Sequence, residues 1–202
     1  MMRGTVIVFA KAPRAGAVKT RLAADIGAGR AAALFRIMTE RTVATAVAGP
    51  WRTIIAVDSA AALTGWGNVF PPCISRRVQG PGDLGDRMGR QFRDAPPGPV
   101  IIIGADAPGL RTAHLHQAFQ ALRSADAVFG PAADGGYWLI GLARRCAAPD
   151  LFDGVRWSSQ HALEDTTKSL PAAFKTAMLE TLSDVDEARD LVHLGPRSTR
   201  SR

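Results

Sequence analysis

Aromatic residues are scarce in this sequence, at 6% of 202 residues. Proteins that hold single-stranded nucleic acid stack bases on aromatic side chains, so the composition argues against a nucleic-acid partner. The formal net charge of +7 overstates the basicity of the folded part, because the stretch 196–202 (PRSTRSR) contains three arginines and no apolar periodicity. We expect that tail to be disordered. The remaining charge suits an anionic small molecule.

Cysteine is nearly absent, and the two that occur, Cys73 and Cys146, fit no metal spacing and no disulfide framework. We expect both to be core thiols in a reducing cytoplasm. Long apolar runs are also missing. The run from Val6 to Ala10 is too short for a signal peptide or a membrane span. The sequence therefore predicts a cytoplasmic protein without a membrane span, and it leaves the oligomeric state open.

Compact runs of β-branched residues alternate with helical segments along the chain. The predicted strands are 5–10, 53–58, 100–106, 125–130 and 137–142. The predicted helices are 29–47, 83–92 and 112–122, the last with Thr112 as its N-cap. Continuous apolar strands are typical of a parallel sheet that is buried on both faces. With no repeat and no linker, the pattern predicts one α/β domain over 1–195, a three-layer α/β/α sandwich with a mostly parallel sheet.

Neither of two common phosphate-binding motifs occurs in the loop after the first strand, VFAKAPRAGAVKTRL (8–22). A Walker loop needs glycine directly before Lys-Thr, whereas Val18 precedes Lys19 here, and the dinucleotide motif G-x-G-x-x-G is absent. Acidic residues are absent too, since the first one in the chain is Asp25. The loop is therefore either a different phosphate-binding loop or a solvated basic loop.

Position favours phosphate binding, because ligands of open α/β sheets bind at the carboxyl ends of the strands. Gly16 would let backbone N–H groups approach a ligand closely. The loop also offers four charge-assisted donors or positive charges, Lys11, Arg14, Lys19 and Arg21. We expect these cations to lack acidic partners and to neutralise a diphosphate or triphosphate.

Two aspartates are candidate metal ligands. Asp106 follows the strand IIIGAD, where its carboxylate could hold Mg²⁺ or Mn²⁺ against the phosphates of a nucleotide. Aspartate in such a loop can instead be a turn-former. Asp186 in DVDEARDL is a candidate second ligand, although Asp184 with Glu187 also fits a capping box.

Two glycine-bearing loops complete the candidate site. In GPAADGGYWLIGL the double glycine would let a sugar or ribose lie against the backbone, or it is simply a hairpin turn. In QGPGDLGDRM (79–88), Asp83 is either part of the nucleotide site or only an N-cap. The candidate residues of the two loops are Gly82, Asp83, Asp134, Gly135, Gly136 and Tyr137.

The segments FAKAPRAGAVKTRL, GDLGDRM, IGADAPGL, GPAADGGYWLIGL, RWSS and DVDEARDL occur in this order. With them the chain resembles, from Val6 to about Leu194, a bacterial glycosyltransferase-like family of GT-A fold. That family is related to phospholactate guanylyltransferase and to molybdenum-cofactor nucleotidyltransferases. The resemblance implies a nucleotide-diphospho-sugar transferase sheet with the nucleotide over the first loop. It also implies a metal at Asp106 and Asp186 and an acceptor beside Asp134 to Tyr137. The D-x-D triplet is incomplete, because position 104 is glycine.

The function expected from these observations is metal-dependent transfer of a sugar from a nucleotide sugar to a small-molecule acceptor. Asp106 and Asp134 are the candidate catalytic residues, with Asp134 contacting or deprotonating the acceptor. The alternative is a nucleotidyltransferase, guanylyltransferase-like, that uses a nucleoside triphosphate and a small phosphorylated acceptor. Sugar transfer ranks first because the glycine-rich loop of sugar-nucleotide pyrophosphorylases is missing and the double glycine suits a flat sugar ring, an analogy of fold more than of site. A non-catalytic nucleotide-binding protein is the third hypothesis.

Overall fold

The computed structural model describes residues 4–66, 69–145 and 151–183. These ranges contain seven strands and five helices. The strands are β1 Thr5–Ala10, β2 Arg52–Val57, β3 Ser75–Val78, β4 Val100–Gly104, β5 Ala127–Pro131, β6 Tyr137–Leu142 and β7 Thr176–Met178. The helices are α1 Thr20–Ile26, α2 Ala28–Val47, α3 Leu84–Asp94, α4 Thr112–Ala121 and α5 Ala162–Lys168, with a 3₁₀ turn at Ala60–Ala62.

The strands form one sheet in the order β3-β2-β1-β4-β6-β5-β7. Strand β6 is antiparallel to both of its neighbours, and every other pairing is parallel. The predicted mostly parallel sheet is therefore confirmed. After β1 the chain moves outward to β2 and β3, then returns to place β4 on the other side of β1. The edge between β1 and β4 is thus a topological switch point, where open α/β sheets bind their ligands.

Burial on both faces explains why the strands read as unbroken apolar runs. Val6, Ile7 and Val8 of β1 are all fully buried, and they alternate between two separate core clusters. One cluster packs α2 and α4 on the sheet through residues such as Phe35 and Leu115. The other packs α3 and the segment 151–174 on the opposite face. The three-layer α/β/α architecture follows from these two apolar faces.

The five predicted strands and three predicted helices are present with small shifts at their ends. Four elements escaped prediction. The helices α1 and α5 have seven residues each, too few to show a helical period, and the strands β3 (SRRV) and β7 (TAM) have no run of β-branched residues. Thr112 is the first residue of α4, and Arg111 occupies the N-cap position in its place. The expectation of a buried Cys73 is wrong, since that residue is exposed in the turn before β3. Cys146 and the tail 196–202 lie outside the described residues.

Several arginine side chains donate hydrogen bonds to backbone carbonyl groups. Arg76 donates to the carbonyls of Ala62, Leu63, Gly65 and Phe70. Arg144 donates to Ala95 and Pro96, and Arg145 donates to Leu122, Arg123 and Ala125. Part of the positive charge therefore holds loops and helix ends in place. In the described ranges, no helix combines the length and apolarity that a membrane span requires.

Gln79 ties three strands together at the edge where the candidate site lies. It is 4% exposed, and its Nε2 donates to the carbonyl oxygens of Ala10 at 3.3 Å and Ala56 at 2.9 Å. We predict that Gln79→Leu lowers the free energy of unfolding by about 1–3 kcal/mol, because two buried carbonyls lose their donor. Urea unfolding measures the change. Gln117→Leu, on the exposed side of α4, is the matched control and should stay within about 0.5 kcal/mol of wild type.

Candidate nucleotide-phosphate site

An ion pair spans the switch point between β1 and β4. The Nζ of Lys19, in the loop after β1, lies 2.7 Å from Oδ2 of Asp106, just past β4. The lysine side chain is 7% exposed and the aspartate side chain 37% exposed. The two residues that the sequence placed at phosphate and metal positions are therefore in direct contact, with the carboxylate still open to solvent on one side.

The basic loop is pinned by apolar residues and presents its other cations outward. Ala12, Val18 and Leu22 are buried in or beside the loop. Lys11, Arg14 and Arg21 are exposed, and Gly16 adopts φ +79° with open space around it. The expectation that the cations have no acidic partner is wrong for Lys19. Its partner Asp106 is distant in the sequence but follows β4, the strand next to β1 in the sheet. A phosphate role for the loop residues and for Gly16 stays a prediction.

A second carboxylate at this edge was missed. Asp58 follows β2, and its Oδ1 accepts a hydrogen bond from the backbone N–H of Ala12 at 3.4 Å. Beside it, the buried Oγ of Ser59 has no hydrogen-bond partner among the described residues. The signal was available in the sequence, since β2 ends in an aspartate at the same edge as β4.

The loop before α3 is organised by its own side chains. Asp83 is the N-cap, and it forms a capping box in which its Oδ1 accepts from the N–H of Asp86 at 2.9 Å. Gly82 adopts φ +93°, and a Cβ there would meet the Asp86 carboxylate. The structure thus contains the N-cap that was the alternative for Asp83. A ligand contact by Gly82 or Asp83 remains a prediction.

The DGGY segment is the turn of the β5–β6 hairpin, and it packs against the segment before α5. Asp134 is exposed, and its Oδ1 accepts from the N–H of Gly136 at 2.9 Å. Gly135 has φ +87°, and a Cβ there would lie 2.2 Å from the carbonyl oxygen of Gln160. The space that a Cβ of Gly135 would occupy is therefore filled by protein backbone, which explains the glycine at this position, and a sugar contact at Gly135 or Gly136 stays a prediction.

Tyr137 points into the protein instead of standing at a pocket mouth. Its hydroxyl accepts a hydrogen bond from Thr166 Oγ1 at 3.4 Å, and its ring meets Phe129 edge to face at 5.7 Å. Burial raises the pKa of the Tyr137 hydroxyl, with the Thr166 hydrogen bond opposing the shift. The Tyr137 side chain therefore packs the hairpin against α5 and stays un-ionised near neutral pH.

The fit of a divalent metal rests on Asp106. Asp186 lies outside the described residues, so its role as second ligand stays a prediction. Within the described ranges, no three His, Cys, Asp or Glu side chains are grouped as a metal cage. Mg²⁺ does not require one, since it is commonly held by one or two carboxylates together with substrate phosphates and water. The half-buried carboxylate of Asp106 at the switch point, open to solvent on one side, suits that mode.

A buried histidine and two charged side chains form a cluster at the same edge of the sheet, where the strands β4 and β7 end. His114 of α4 is 1% exposed, and its Nε2 contacts both Glu180 Oε1 and the Arg111 guanidinium. Arg111 also binds Glu180 at 2.7 Å. The cluster joins the start of α4 to the chain beyond β7. Burial lowers the pKa of His114, Glu180 raises it and Arg111 lowers it, with burial dominant.

We predict that Gly135→Ala destabilises the protein strongly, by at least about 1–3 kcal/mol, because both the positive φ and the Gln160 carbonyl oppose a Cβ. Gly16→Ala is the matched control, since Gly16 has a similar φ of +79° but no atom within 4 Å. Gly16→Ala should lower the free energy of unfolding by about 1 kcal/mol, the cost of placing a residue with a Cβ in the left-handed region. Equal urea midpoints for the two variants would contradict the contact with Gln160.

We predict that stability falls on acidification below about pH 6.5, the unperturbed pKa of histidine. Because burial lowers the pKa of His114 in the folded state, the folded protein binds less proton there than the unfolded chain, so lowering the pH favours unfolding until the folded pKa is passed. Urea titrations between pH 7.5 and 5.5 measure the slope. His114→Gln should flatten it, and the exposed His116→Gln should retain it. An unchanged slope in His114→Gln would assign the effect to another group.

Solved structures share this fold over nearly the whole chain. A protein from Desulfovibrio desulfuricans G20, provisionally described as a nucleotide-diphospho-sugar transferase, is 27% identical, with a TM-score of 0.86 over 98% of this chain and 90% of that one. The manganese complex of Rv0371c from Mycobacterium tuberculosis H37Rv is 15% identical, with a TM-score of 0.54 over 96% and 98%. The 4-diphosphocytidyl-2C-methyl-D-erythritol synthase of Anaerococcus prevotii DSM 20548 is 10% identical, with a TM-score of 0.54 over 95% and 93%.

These similarities confirm the nucleotide-diphospho-sugar transferase fold, which transferases of two kinds share. No curated protein matches the chain. Residues 41–159 match a family model described as "Uncharacterized protein conserved in bacteria (DUF2064)". That match spans more than half of the sequence, and the chain belongs to the DUF2064 family.

Proposed function

We propose that the protein is a metal-dependent glycosyltransferase that uses a nucleotide-sugar donor. The observation that carries this proposal is the Lys19–Asp106 pair at the switch point between β1 and β4. It supports the proposal because a lysine suited to phosphate and a carboxylate suited to a divalent metal lie where sheets of this topology bind ligands.

Each side chain has a role in this proposal. Lys19 binds a phosphate oxygen of the donor, and the exposed Lys11, Arg14 and Arg21 neutralise the rest of the diphosphate. Asp106, with Asp186, would hold Mg²⁺ or Mn²⁺. That metal supplies charge stabilisation for the departing nucleoside diphosphate. The exposed carboxylate of Asp134, whose Oδ1 is oriented by the N–H of Gly136, contacts the hydroxyl group of the acceptor.

The 27% identity and TM-score of 0.86 with the Desulfovibrio protein support sugar transfer, because its description names a nucleotide-diphospho-sugar transferase. The manganese complex of Rv0371c supports a divalent metal on this fold. The double glycine does not by itself support a sugar site, because the backbone of Gln160 already accounts for the glycine at position 135.

Nucleotidyl transfer is the second candidate, favoured by the amount of positive charge in the loop. Three exposed cations together with Lys19 match a triphosphate better than a diphosphate. The erythritol synthase that shares the fold is named for its diphosphocytidyl product. In this alternative a phosphate of the acceptor attacks the α-phosphorus of a nucleoside triphosphate, and pyrophosphate leaves.

We predict that nucleotide sugars with Mn²⁺ raise the melting temperature and slowly release nucleoside diphosphate, with water as a poor acceptor. Lys19→Ala should weaken nucleotide binding by about 1.5–3 kcal/mol, the range for a hydrogen bond to a charged group, as measured by calorimetry. Lys175→Ala is the matched control, because Lys175 is an exposed lysine directly before β7, the strand at the far edge of the sheet.

The products distinguish the two candidates, because they break different bonds. Pyrophosphate from nucleoside triphosphates and small phosphorylated acceptors, with no diphosphate from nucleotide sugars, would reverse the ranking. Unchanged nucleotide affinity in Lys19→Ala would remove Lys19 from the phosphate site.

A further inference from the structure

Lys19 is held in place by its backbone and its neighbours. It adopts φ 47° and ψ 50°, the left-handed region that is unfavourable for a residue with a Cβ. Such conformations persist where the surroundings enforce them, and they concentrate at functional sites. Buried Val18 and Leu22 anchor the chain on either side of Lys19. The ammonium group therefore reaches Asp106 from a fixed position, with only 7% of its side chain exposed.

The carboxylate of Asp106 cannot serve Lys19 and a divalent cation equally well. The ammonium donates to Oδ2 at 2.7 Å, and a metal on the same carboxylate would lie within a few ångströms of that positive charge. Repulsion between them is strong in a partly desolvated crevice. A bound phosphate chain changes the balance, because it provides negative oxygens for the ammonium and for the metal at once.

We infer that Lys19 is an exchangeable counter-ion that blocks metal binding at Asp106 until a phosphate chain draws the ammonium away. The inference rests on the proposed nucleotide site and adds an order to it. Phosphate and metal bind cooperatively, and the metal alone binds weakly. The barrier to metal alone belongs to one side chain, so removing the charge of Lys19 removes the barrier.

Manganese binding without nucleotide tests the barrier. Electron paramagnetic resonance of free Mn²⁺ gives its affinity for the wild type, Lys19→Met, Lys19→Arg and Lys175→Met. We expect Lys19→Met to bind Mn²⁺ tighter by about tenfold, because a repelling charge near the ligand is lost. Lys19→Arg, which keeps the charge, and Lys175→Met, which removes an exposed lysine before β7 outside the proposed site, should match wild type.

The double variant Lys19→Met/Asp106→Asn identifies the carboxylate, and it should lose the whole gain. No gain in Lys19→Met, or a gain retained in the double variant, would overturn the inference. Lys19→Gln repeats the measurement if Lys19→Met fails to fold, which circular dichroism and thermal melting show for each variant.

The exchange itself is visible by nitrogen NMR of the side chains, because the chain has only four lysines, Lys11, Lys19, Lys168 and Lys175. With lysine labelled at Nζ, the hydrogen-bonded Lys19 should give a distinct signal that Asp106→Asn abolishes. Magnesium alone should leave that signal in place. Magnesium with inorganic pyrophosphate, the part common to all candidate nucleotides, should move it.

The outcomes separate this inference from the proposed function. Nucleotides that raise the melting temperature while the Lys19 signal stays unmoved would overturn the exchange and leave the proposed function standing. Tighter Mn²⁺ binding by Lys19→Met, in a protein that binds no nucleotide or nucleotide sugar, would support the barrier and overturn the proposed function. A Lys19 signal that moves with Mg²⁺ alone would overturn the barrier.

Discussion

The contact between Lys19 and Asp106 depends on two distant parts of the chain meeting at one edge of the sheet. The lysine follows β1 and the aspartate follows β4, and the two strands are hydrogen-bonded neighbours. Opposite charges at this distance stabilise each other in a partly desolvated position, whereas either one alone would be costly to bury. The left-handed backbone of Lys19 and the buried Val18 and Leu22 on either side of it hold the lysine in position for this contact.

The sheet makes such a pair possible because it is rigid and covered on both faces. The central strands contribute side chains alternately to two apolar clusters, and no register shift could leave both clusters intact. Polar side chains at this edge therefore have fixed positions. Gln79 ties the ends of β1 and β2 to β3, and the His114–Glu180 contact ties α4 to the chain beyond β7.

Most of the layered fold could be predicted from the sequence, because long apolar strands and amphipathic helices carry a local signal. The site was only partly accessible. The edge position of Lys19 and Asp106 was predictable from their place after two strands, but their contact depends on strand order, which a local pattern does not contain. Gly135 was ambiguous for a related reason. A glycine signals close approach without saying whether a ligand or the Gln160 backbone approaches.

The arginines that bind carbonyl groups explain an imbalance in the composition. The chain has 21 arginines and four lysines. Arg76 serves four carbonyls at once and also lies over the Phe70 ring, which requires a planar group with several fixed donors. A lysine ammonium has three donors at a single point and could not replace it. Preference for arginine at these positions is thus a geometric requirement of the loops, and the high isoelectric point is in part its by-product.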